Sequence, residues 1–172
     1  MNPSLLKCVF ISNKCDEKKM IVTKNEVAIL HSFIKDIISN EVVIINTDLG
    51  LDVYYYSQTD CKNIIENSFF LITTKNQNKG TNYRVMALNT ISEISDRFLE
   101  LSSMPMAFTC YTKNLLKQIK KDNSKNNLIS NQLIHIWEHI TNYNILKDTN
   151  LEKLHMVNNI LVQSSLNPLR YN

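Results

Sequence analysis

The hydrophobic pattern opens with a short apolar, β-prone run over residues 5–12, a polar turn over 13–18 and a second short run over 20–23. That spacing predicts an opening β-hairpin. From Asn25 the period changes: Val27, Leu30, Ile34 and Ile37, joined by Phe33 and Ile38, recur three and four residues apart. This is one face of a helix reaching about Asn40, with Thr23 or Asn25 able to cap its start.

β-branched residues return over 41–46, Asp48 and Gly50 supply a turn, and residues 53–57 and 69–74 read as two further strands joined by a loop over 58–67. A polar break over 75–82, with Gly80, precedes a helix whose single apolar face carries Val85, Leu88, Ile91, Ile94, Phe98 and Leu101. Residues 111–119 read as helical and 120–127 as an exposed linker. Two more helices are expected over 128–140, with Leu133, Ile136, Trp137 and Ile140 inward, and over 151–162, with Leu151, Leu154, Val157 and Leu161 inward. The order predicts an α+β fold, a five-stranded mainly antiparallel sheet sandwiched by helices. One domain over 1–172 with a helical C-terminal extension at about 128–163 accounts for the whole chain.

Composition narrows the function. No apolar run is longer than those over 42–45 and 69–72, far short of the roughly 20 residues of a membrane-spanning helix. Lys14, Asp16, Glu17 and Lys18 follow the first apolar run directly, unlike a secretory leader, so a cytoplasmic protein is expected. With only 2 glycines, Gly50 and Gly80, neither a phosphate-binding loop nor a dinucleotide-binding turn can be built. The 4 cysteines have no C-x-x-C spacing and read as reduced thiols. A net charge of +3, dispersed along the chain, does not argue for nucleic acid.

Candidate chemistry is sparse. His135-Ile136-Trp137-Glu138-His139 matches H-x-x-E-H, in which two imidazoles four residues apart on a helix can share a Zn²⁺ while the carboxylate polarises a water. The same turn must bury Ile136, Trp137 and Ile140, and no third ligand is indicated, so histidines without metal are the preferred reading. Tyr54, Tyr55 and Tyr56 alternate across a strand, with Tyr55 facing away from its neighbours, and are read as core residues rather than base-stacking groups. Lys113, Lys117, Lys120, Lys121 and Lys125 form the one basic cluster, read as a solvated helix end. No nucleophile has local support of the G-x-S-x-G kind, and no cofactor is expected. The chain is therefore expected to be non-enzymatic and to work through its surfaces.

Lys7-Cys8-Val9-Phe10-Ile11-Ser12-Asn13-Lys14 resembles the opening strand of the small chains of vesicle-coat complexes, the adaptor sigma and coatomer zeta subunits of longin fold. Val53-Tyr54-Tyr55 and Phe69-Phe70-Leu71-Ile72-Thr73-Thr74-Lys75-Asn76 are similar to the strands before their second helix. Glu138, Ile145 and Leu146 match a late acidic and apolar motif, whereas Trp137 stands for an Asp, Asn142 and Tyr143 for two glycines and Lys147 for an acid. The resemblance implies a longin-like small subunit that stabilises a large solenoid subunit. It also implies other coat subunits and an Arf-type small GTPase as partners, and peripheral placement on Golgi or endosomal membranes. Lys14, Tyr55, Glu138, Ile145 and Leu146 are then the partner-binding candidates. A longin-type tethering or SNARE regulator is the alternative within that fold.

Overall fold

A computed structural model describes residues 5–14, 20–38, 41–73, 83–121 and 128–146. The elements run β1 (Leu5–Asn13), α1 (Lys24–Ile38), β2 (Val42–Thr47), β3 (Gly50–Ser57), α2 (Lys62–Thr73), β4 (Tyr83–Leu88), α3 (Ile91–Ser102), α4 (Pro105–Lys121) and α5 (Leu128–Leu146). The sheet has the order β2-β3-β1-β4 with every neighbouring pair antiparallel. Its first six elements thus follow the β-α-β-β-α-β, ferredoxin-like order. β1 is central, paired with β3 from Leu5↔Ser57 to Ile11↔Leu51 and with β4 from Cys8↔Leu88 to Asn13↔Tyr83.

Helices cover both faces of the sheet, so β1 is apolar at alternate positions on both sides, as strands buried on two faces are. On one face α1 lays Leu30 and Ile34, and α2 lays Ile65 and Phe69, against Val9, Ile11, Ile44, Val53 and Tyr55. On the other, α3, α4 and α5 bring Phe98, Tyr111, Leu133 and Trp137 onto Leu6, Cys8, Val43, Ile45 and Tyr54. Trp137 stacks on Phe108, with centroids 4.0 Å apart, and meets the edge of Phe98 at 5.0 Å. Burying a side chain such as Phe69 completely stabilises the fold by about 1.5–3 kcal/mol before entropy is counted.

Gly50 closes the β2–β3 hairpin at φ +143°, and a Cβ there would stand 2.3 Å from the Ile11 carbonyl oxygen. Only glycine combines that backbone with that approach.

Three expectations are corrected. Residues 20–23 do not form a second strand of a hairpin; they lead into α1, where the Thr23 hydroxyl accepts from Glu26 N–H at 3.3 Å and the Glu26 carboxylate accepts from Thr23 N–H at 2.7 Å. This capping box starts the helix where a strand was expected to end. Residues 58–67 are not all loop, and Phe69 to Thr73 are not strand: both belong largely to α2. Asp60 Oδ1 accepts from Lys62 N–H at 2.8 Å at the helix start, and the Ser68 and Thr73 hydroxyls return to the carbonyls of Ile64 and Phe69. Packing of Ile65 and Phe69, four residues apart, overrides the β preference of the run. Finally, the apolar face from Val85 to Leu101 is split. Tyr83 to Leu88 join the sheet, and a second capping box, Thr90 with Glu93, begins α3.

The described residues therefore hold four strands and five helices, an α+β architecture. Lys120 and Lys121 lie in α4 rather than in a linker. The break over 75–82 and the helix expected over 151–162 fall outside the described residues. Among the described residues no helix is long and apolar enough to cross a membrane.

Candidate functional site

The residues singled out in sequence are not brought together. On α5, His135 and His139 are exposed, and His135 Nδ1 lies 3.8 Å from Glu138 Oε2, with side-chain exposures of 82% and 45%. Among the described residues no group of three His, Cys, Asp or Glu side chains is placed to hold a metal ion. The helix turns Ile136, Trp137 and Ile140 inward, and the imidazoles point the other way as a consequence of the same periodicity. Lys14 is exposed just beyond β1. Tyr55 is fully buried under α1 and α2, where its hydroxyl accepts from Cys61 N–H at 3.2 Å. Ile145 and Leu146 end α5, and their side chains lie outside the described residues.

A polar cluster that sequence did not reveal lies beneath α3. Arg97 Nε donates to Asp52 Oδ1 at 3.0 Å, with side-chain exposures of 12% and 1%, and the guanidinium carbon sits 3.4 Å from the centroid of the Phe10 ring. Burial acts to lower the Arg97 pKa, but the neighbouring Asp52 outweighs it, so the guanidinium stays charged. Close by, the Tyr54 and Tyr111 hydroxyls share a hydrogen bond of 2.5 Å. Burial first, and the Asp52 charge among the further causes, push both phenols and the Cys8 thiol well above their ordinary values, so all three stay protonated near neutral pH. A thiol held neutral inside a core is a poor nucleophile. The cluster ties α3 and α4 to the sheet and offers no reacting group to solvent.

The surface is more informative. Ile29, Phe33 and Ile37, four residues apart on α1, are 57%, 40% and 45% exposed, and Ile64 and Leu71, seven apart on α2, are 40% and 67% exposed. Spacings of four and seven place each set on one helix face. α1 and α2 pack side by side over the same sheet face, so both stripes belong to the outer surface of one layer. Phe33 and Ile37 were expected inward, yet the sheet needs only Leu30 and Ile34. The readable sign was excess: six apolar residues between Ile29 and Ile38 are more than one buried face requires. No known family model and no curated protein matches the chain.

Proposed function

We propose that this chain is a non-enzymatic assembly subunit, a longin-like small chain of a vesicle-coat complex that a large helical-solenoid subunit clasps. The observation that carries the assembly reading is the exposed apolar pair of stripes on α1 and α2. Apolar surface of this kind, arranged along helices, is what a second helical layer covers on association. The coat partner rests on the likeness of residues 7–14 and 53–55 to sigma and zeta chains, together with an antiparallel sheet held between helical layers. Residues 69–73, likened in sequence to a strand of those chains, belong to α2 and do not enter this support. In this reading the protein sits in the cytoplasm, peripheral on Golgi or endosomal membranes, and stabilises the large subunit by binding its folded form.

Affinity purification of the full chain from its native cells tests the proposal. A large solenoid coat subunit should co-purify, and Phe33→Glu with Ile37→Glu, both at exposed positions, should release it while circular dichroism is unchanged. Absence of any coat subunit from the wild-type eluate, or its retention by the double variant, would overturn the reading.

A further inference from the structure

We infer that the cleft between α1, α4 and the outer edge of β2 binds a small aliphatic dicarboxylate, an inference independent of the coat reading. The cleft has a volume of about 430 Å³, within the ~300–1,000 Å³ usual for small-molecule sites. β2 ends the sheet on this side, and an uncovered strand edge invites pairing with other chains. Here two of its carbonyls are occupied: His31 Nε2 is 2.9 Å from Val42 O, and Gln118 Nε2 donates to Ile44 O at 3.0 Å. A carbonyl oxygen only accepts, so His31 carries a proton on Nε2.

These contacts pin one side chain from each flanking helix, and Asn46 Nδ2 donates to Val22 O at 3.0 Å. The walls are thus fixed before any ligand arrives. Val27 and Ile44 give the cleft an apolar component between these polar walls.

Charge decides the ligand. Lys24, the first residue of α1, and Lys117, on α4, line the cleft from opposite helices, and none of the described residues lining it is acidic. Both lysines are exposed, and among the described residues neither has an ion-pair partner. Two uncompensated ammonium groups beside an apolar surface select a molecule with a carboxylate at each end and a short hydrocarbon middle. Among the described residues no aromatic side chain lines the cleft to stack a base, which disfavours nucleotides. Addition of a peptide strand is opposed because the carbonyls of Val42 and Ile44 are already bonded. Lys113, four residues before Lys117 on the same helix, does not line the cleft and serves as a control.

Titration calorimetry of the full chain at constant ionic strength tests the site with adipate, hexanoate and inorganic phosphate. Adipate should bind saturably at 1:1 with Kd below about 1 mM, and hexanoate at least about tenfold more weakly, since it satisfies one ammonium only. Lys24→Gln and Lys117→Gln should each weaken adipate, their combination by at least about tenfold, and Lys113→Gln should leave it unchanged. No saturable adipate binding up to about 10 mM would overturn the inference. So would equal binding by the double variant, or phosphate binding as tight as adipate, which would mark simple attraction of anions to lysine.

Discussion

Removing Arg97 tests whether the Asp52 pair is a dependency of the fold rather than a source of its stability. Arg97→Met keeps an unbranched apolar stem over Phe10 but leaves the Asp52 carboxylate, 1% exposed, without its counter-charge. Breaking one side of a buried pair costs about 3–5 kcal/mol, a large part of the ~5–15 kcal/mol by which a domain is stable. Asp52 Oδ2 is already buried without a hydrogen-bond partner among the described residues, so its desolvation is only half offset. Its register neighbours are apolar, Phe10 on β1 and Ile45 on β2. The combined variant Asp52→Leu, Arg97→Met should therefore recover most of the loss and match or exceed the wild type.

Urea unfolding followed by the fluorescence of Trp137, the one tryptophan of the chain, reads all four corners of the cycle. With a slope near 2 kcal/mol per molar urea, Arg97→Met should lower the midpoint by roughly 1.5–2.5 M. A shift below about 0.5 M, or a combined variant that loses the sum of both single losses, would refute the argument.

Trp137→Ala should destabilise by about 3–5 kcal/mol, because the indole is wholly enclosed by Phe98, Phe108 and Tyr111; far-UV circular dichroism against urea measures it. Gly50→Ala should cost at least about 2 kcal/mol from backbone strain and the collision with Ile11 O, read as a fall in thermal midpoint. Tyr54, Tyr111 and Cys8 have pKa values raised by burial in the folded state, so their contribution is complete below the unfolded values and is lost as pH rises past them. Stability should accordingly fall above about pH 9–10, and Tyr111→Phe should flatten that fall in thermal scans taken from pH 7 to 11.

Where sequence reading succeeded, one residue's environment was enough to decide. Tyr54, Tyr55 and Tyr56 alternate as a strand must: Tyr54 meets Tyr111 on one side, Tyr56 meets Gln132 on the same side, and Tyr55 faces α1 and α2. The helix of Leu30 and Ile34 and the inward set Leu133, Ile136, Trp137 and Ile140 were likewise legible, because long periodic stretches carry their own register. It failed where two signals competed over a few residues. Phe69 to Ile72 looks like a strand in isolation, and only Ile65 one turn earlier and the Asp60 cap reveal the helix. Val85 and Leu88 extend the apolar face of α3 by coincidence of spacing, while Thr90 and Glu93 mark the true start. The Asp52–Arg97 pair was not readable because its members are 45 residues apart and meet only through the sheet.

The central place of β1 also sets a timetable for synthesis. β1 is apolar on both sides and leaves the ribosome before its partners β3 and β4, which end only at Ser57 and Leu88. At ~5–20 residues per second, roughly 4–15 s pass between the emergence of Asn13 and that of Leu88. Until Ser57 has emerged Leu6, Val9 and Ile11 have no strand to pair beside, and until Leu88 has emerged one edge of β1 stays open. The four-stranded sheet thus closes only after Leu88 has been made, and slowing translation lengthens the exposure of that open edge instead of easing it.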